Sequence, residues 1–170
     1  MTDKYELEKW LWTESDFEMM GWHDSRVYAI AFSPEKFEIV FDIDYIFQWV
    51  HPKQDENFFS FWVSSATLIF ENTYDVKFDI SSDDGGLEID CIKREDVGSP
   101  RNAQYIRKDK EWIWTIECQE GEIRFRSAGY KQYIRAKPKL GGQTLELETR
   151  EISFNRGINK QSHNNLNLQI

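Results

Sequence analysis

From Arg26 onward, apolar and polar residues alternate with a period of two, the mark of strands that bury one face. In KFEIVFDIDYIF, Phe37, Ile39, Phe41, Ile43 and Tyr45 share one face, while Glu38, Val40, Asp42 and Asp44 share the other. The preceding FSPEKF, with Pro34 placed to initiate a turn, predicts a hairpin of strands 26–32 and 37–45. The longest apolar run, FFSFWVSSATLIF, is mixed on both faces, as a central strand should be. Phe59, Phe61 and Val63 alternate before Ser64-Ser65, and Ala66, Leu68 and Phe70 after it, so the pattern predicts a bulge at the two serines. YDVKFDIS places Val76, Phe78 and Ile80 inward, SDDGG turns the chain, and LEIDCI alternates through Leu87, Ile89 and Cys91. REDVGSPRNAQ reads as a surface loop. EWIWTIEC, QEGE and IRFRS then form a hairpin, with Trp112, Trp114, Ile116 and Cys118 on one face of its first strand. TLELETREISF alternates leucines with glutamates as a last strand.

The first twenty-one residues differ. Leu7, Trp10 and Leu11 fall at i, i+3, i+4, the spacing of a helical stripe. In TESDFEMMG, Thr13 or Ser15 can cap, acids fill the first turn, and Gly21 can stop a short helix. The reading is a mainly β fold: an antiparallel two-sheet sandwich or partly open barrel, behind a short helical N-terminal segment over 1–21. One domain is expected over 1–154, followed by a polar tail over 155–170 that has no acid and is rich in Asn and Gln.

Composition sharpens this only where it is uneven. Seven Trp, seven Tyr and twelve Phe suit a strand-rich, folded chain. Residues 1–100 carry 8 Lys and Arg against 22 Asp and Glu, whereas 101–170 carry 13 against 8, giving the overall net charge of −9. That balance disfavours nucleic-acid binding, which draws its affinity from neutralised phosphates, and fits a basic protein partner. Charges interrupt every apolar run, so no membrane span is expected, and the acidic MTDKYELEKW does not read as a secretory signal. Cys91 and Cys118 lack metal-ligand spacing and fit reduced thiols of a cytoplasmic protein.

The densest chemistry is GWHDS, at Gly21–Ser25. Adjacent His, Asp and Ser side chains point in different directions, which excludes a triad built from them alone. His23, Asp24, Asp42 and Asp44, with His51 near by, are the candidate binding residues, since these oxygen and nitrogen donors would converge if the first hairpin folds beside the helix end. An alternative function, a small-molecule or metal-binding enzyme, would be centred on those four. Without HxH, HExxH or paired cysteines, the expectation is no metal, no other cofactor and no catalytic residue. Asp42 and Asp44 are then expected to keep a strand face wet. Asp79, Asp83 and Asp84 crowd two glycines but lack the spacing of a calcium loop. Trp112, Trp114 and Trp62 raise the further alternative of a carbohydrate-binding β-sandwich. Tyr105, Tyr130 and Tyr133 among Lys and Arg form a pattern that suits the solvated edge of a sheet better than single-stranded nucleic acid. For GWHDS itself the expected role is structural, with Trp22 plugging the core and the next three residues satisfying backbone groups at the turn.

The segments WTESDFEMMGWHDSRVYAIAF, FDIDYIFQWV and FWVSSATLIFEN resemble an uncharacterised family of small bacterial proteins, and more distantly the immunity proteins that accompany polymorphic toxins. The likeness spans roughly 10–95 and brings no catalytic residues with it. It implies an antiparallel β-rich domain that acts by binding. The resulting expectation is a non-enzymatic cytoplasmic protein of immunity type, of unspecified oligomeric state, that neutralises a basic toxin through acidic strand faces including Asp42 and Asp44.

Overall fold

The computed structural model describes residues 4–148 and 150–158. Among the described residues, ten strands follow one another: β1 (Leu11–Thr13), β2 (Ser25–Ser33), β3 (Glu38–Val50), β4 (Ser60–Glu71), β5 (Tyr74–Ile80), β6 (Glu88–Gly98), β7 (Glu111–Cys118), β8 (Gly121–Ser127), β9 (Gly129–Ile134) and β10 (Lys139–Gly141). Every pairing is antiparallel, as expected where strands are joined without helical crossovers. The order is β1-β9-β4-β3-β2-β6-β7-β8-β5, with β10 added on β4. β1 and β5 end that path without pairing to each other, so the sheet is open and does not close into a barrel.

One strand lets this single sheet fold over on itself. β2 pairs with β6 through Ser25 and Arg26, then with β3 from Val27 to Ser33, and a register shift follows Val27. A strand that changes partners at such an irregularity turns a corner. The inner faces of the two wings then meet. Phe70 of β4 lies 4.7 Å from Phe125 of β8 and 5.1 Å from Trp114 of β7, ring centroid to centroid. Ile39, Phe41, Ile43, Leu68, Ile116 and Ile123 complete a fully buried interior around them. Removing each such side chain from water stabilises the fold by about 1.5–3 kcal/mol, which is why the alternating pattern dictates the register.

The N-terminal segment departs from the helical expectation. Among the described residues, the only helical turn there is a 3-10 helix over Glu14–Met19, and Leu11–Thr13 is an edge strand on β9. The Trp10 carbonyl accepts the Ile134 amide at 2.9 Å, and Trp12 enters the core. Pairing with a free edge thus overrides an intrinsic helical spacing. The expected bulge is displaced as well: β4 keeps its alternation through Ser64 and Ser65, and the shift lies on β3 between Ile46 and Gln48. β6 runs on to Gly98, through residues read as loop. No strand forms over 144–154 among the described residues. That segment is an irregular strap, and β10 precedes it. Of the tail, 155–158 is described and 159–170 lies outside the described residues. No helix among the described residues is long and apolar enough to cross a membrane.

Candidate functional site

Asp42 and Asp44 lie two residues apart on β3, so both carboxylates point to the face opposite the aromatic core. That face is not open to water. Both residues are wholly buried, which overturns the expectation of a wet acidic strand face. The strap covers them and inserts Arg150, whose Nε donates to Asp44 at 2.6 Å while its terminal nitrogens donate to Asp42 at 2.5 and 3.1 Å. Arg135, just beyond β9, donates to Asp42 at 2.8 Å and to Thr67 Oγ1 at 2.9 Å. Two carboxylates and two guanidiniums make a neutral cluster. Backbone amides finish it: Leu145 N donates to Asp44 and Ser153 N to Asp42, each at 2.8 Å. Burial opposes the charge of both arginines. For Arg150 the bonds and charges of Asp42 and Asp44 outweigh burial and raise its pKa, whereas for Arg135 burial prevails and lowers it. Tyr28 donates to Asp44, and burial next to that carboxylate pushes its hydroxyl up to about 12. This is a structural lock in which both carboxylates are held by protein donors, while Arg135 Nε is buried without a hydrogen-bond partner among the described residues.

His23 and Asp24 stand elsewhere, so the four candidate residues do not share one site. The 3-10 helix ends at Met19, and Trp22 turns inward, 3% exposed, packing edge-on to Tyr45 and Tyr130. Its indole Nε1 donates to Gln132 at 2.8 Å. Asp24 takes a left-handed φ of 62°, which aspartate tolerates, and its amide donates to the Ile89 carbonyl. The backbone of the turn is therefore satisfied chiefly by backbone of β6 and of Trp22 itself, not by the polar side chains that follow. The Ser25 hydroxyl is buried without a hydrogen-bond partner.

The same turn leaves His23 outside, where it connects two surface features. Nδ1 lies 3.0 Å from the Asp90 carboxylate and 3.2 Å from the Asp90 carbonyl, and Nε2 lies 3.5 Å from Asp24. Burial works against its charge, but the Asp90 carbonyl and the Asp24 and Asp90 carboxylates outweigh that and raise its pKa. On its other side the imidazole stacks on Trp49, with centroids 5.9 Å apart and planes 12° from parallel. Trp49 in turn meets Phe59 and Phe61 edge-on, and His51 packs on Phe59. Trp49 is 41% exposed, Phe59 41% and Phe58 82%, so the tip of the β3–β4 hairpin presents aromatic surface to solvent.

Beside this tip lies a cleft of about 260 Å³, lined by Phe17, Met20, Trp22, His23, Asp90 and Cys91 among others. Its surroundings are acidic. Glu88 is raised by burial and then by the charges of Asp24 and Glu120, although Arg26 opposes them. Asp90, Cys91 and Glu117 bring donor atoms within 4.8 Å of one another.

Trp114 is buried in the core, and Trp112 faces the Arg94 guanidinium at 5.1 Å, so neither forms an open sugar platform. Tyr130 is buried too, leaving Tyr105 as the exposed aromatic of the basic stretch. Asp84 accepts the Gly86 amide at 2.7 Å in the SDDGG turn, with Gly85 at φ 76°. Trp49, Phe59, Asp90 and Arg150 escaped the sequence reading. Phe59 sits in an apolar run that reads as a central strand, Trp49 lies between the segments that read as strands, and Arg150 sits in a false strand pattern. No family model, curated protein or solved structure matches the chain.

Proposed function

We propose that the protein is a non-enzymatic binding domain of immunity type, and that it engages a basic protein partner through the tip of the β3–β4 hairpin and the adjoining acidic turn. The observation that carries this reading is the His23–Trp49 stack. It joins exposed aromatic surface at Trp49, Phe58 and Phe59 to the carboxylates of Asp24 and Asp90. Exposed clustered aromatics mark contact surfaces, and they become energetically dominant when an anchor from the partner excludes water from them. Arg and Lys suit the combination best, because an aromatic face and a nearby carboxylate both attract a cation. The overall charge of −9 adds long-range attraction for the same class of partner.

Asp42 and Asp44 have no direct part in such a contact, being paired and covered. Their contribution is to fix β3, the strand that carries Trp49. An enzyme built on His23, Asp24, Asp42 and Asp44 draws no support from a geometry that sends the second pair to a locked face.

The test is capture from the native host by the immobilised full chain, beside Trp49→Ala and Asp24→Asn. A basic protein should be retained by the wild type, released as salt rises through the range where the Debye length falls below about 10 Å, and lost with Trp49→Ala. Asp24→Asn, which keeps the left-handed turn, should weaken retention. Equal retention by wild type and Trp49→Ala, or none at low and moderate salt, overturns the proposal.

A further inference from the structure

Outside the aromatic tip, one cluster combines three different donor chemistries. Cys91 and Glu117 are direct partners across β6 and β7, so their side chains emerge on the same face, and Cys91 Sγ donates to Glu117 Oε2 at 3.0 Å. Asp90 would ordinarily point the opposite way from Cys91. The β6–β7 register shifts between Ile89 and Cys91, placing Asp90 at the irregularity, and its carboxylate stands within 4.8 Å of both other donors. His23 then reaches the outer side of Asp90, with Nδ1 3.0 Å from Oδ1. His23, Asp90 and Cys91 also line the cleft, so an ion has a route in.

We propose that His23, Asp90, Cys91 and Glu117 form a binding site for a divalent transition-metal ion of the zinc class. A thiolate, an imidazole and two carboxylates are a borderline-soft set that suits such an ion over magnesium or calcium, which take oxygen alone. Tetrahedral coordination with bonds of 2.0–2.3 Å sets donors about 3.3–3.5 Å apart, so closure asks for only a small contraction of Asp90, Cys91 and Glu117. His23, largely exposed, already brings Nδ1 to 3.0 Å from the Asp90 carboxylate and is the fourth donor. Glu117 is already oriented for it. Lys93 holds Oε1 at 2.6 Å, leaving Oε2 facing Cys91, the arrangement by which an outer partner fixes a ligand. Binding would release the thiol proton and leave Lys93 in place. The site shares His23 and Asp90 with the contact surface proposed above, but its metal readouts involve no partner protein and ask nothing of Trp49 or Phe59.

The experiment is titration of the metal-free full chain with Co²⁺ followed by absorption, and with Zn²⁺ followed by calorimetry. One equivalent of Co²⁺ should bind, develop a thiolate-to-cobalt charge-transfer band, and be displaced by Zn²⁺. Cys91→Ser should abolish the band and weaken Zn²⁺ binding more than about tenfold, while Cys118→Ser, outside the cluster, should change neither. His23→Asn should weaken binding with the band retained. Absence of binding by the wild type, cobalt binding without a thiolate band, or a Cys91→Ser variant that binds Zn²⁺ as the wild type does would each overturn the site.

Discussion

Arg150 reaches from the C-terminal strap into the back of β3 and bonds Asp44 through Nε and Asp42 through both terminal nitrogens. Its guanidinium also lies 4.0 Å from the Tyr28 ring centre. Removing it would leave two buried carboxylates with one guanidinium, that of Arg135 on Asp42, and Asp44, among the described residues, with only the Tyr28 hydroxyl and the Leu145 amide. Loss of one partner from a buried charge cluster typically costs about 3–5 kcal/mol. Arg150→Met should therefore lower stability by that order in a denaturant melt and expose the strap over 145–155 to proteolysis. A variant with an unchanged melt and a protected strap would show that the lock contributes little.

Trp22 is the second structural anchor. It is 3% exposed, contacts Phe17, Tyr45 and Tyr130, and donates to Gln132. Trp22→Ala removes these contacts and leaves the Gln132 carbonyl oxygen without this donor. The expected cost is about 3–5 kcal/mol, read from the midpoint of chemical unfolding. Trp22→Phe should recover most of the packing but not the hydrogen bond.

Asp16 gives the N-terminal segment a pH dependence. Its carboxylate bonds Lys9 and accepts the Thr13 amide at 2.9 Å, and these bonds lower its pKa, led by Lys9. A carboxyl whose folded pKa lies below its ordinary value adds stability above that ordinary value, and loses it as pH falls through the lowered one. Asp16→Asn should thus cost about 1 kcal/mol near neutral pH and progressively less in acid. The check is the difference between the two melts at pH 7 and at low pH. A difference that does not shrink in acid would contradict the assignment.

The core was legible because its signal is local and repeated. Ile39, Phe41 and Ile43 on one strand and Leu68 and Phe70 on the next alternate without interruption, and all five side chains are buried in the core. The back face was not legible for a physical reason. Asp42 and Asp44 carry the signature of a solvated face, and only a partner about 107 residues away, at Arg150, turns them into a buried pair. Long-range compensation of charge leaves no trace in a strand's own period. Leu7, Trp10 and Leu11 misled differently: a helical spacing lost to the hydrogen bonds that an unpaired β9 edge supplies. His23 stands out in the sequence for its neighbours, of which Asp24 does lie beside it, but Asp90 and Trp49 are brought to it only by the fold, from β6 and β3.

The binding account rests on the hairpin tip, and hydrogen–deuterium exchange of the captured complex tests it most directly. The account predicts slowed exchange over residues 47–61 and 22–24 on complex formation, weakening as salt is raised. Slowed exchange confined to other elements, with 47–61 exchanging as in the free chain, would contradict it.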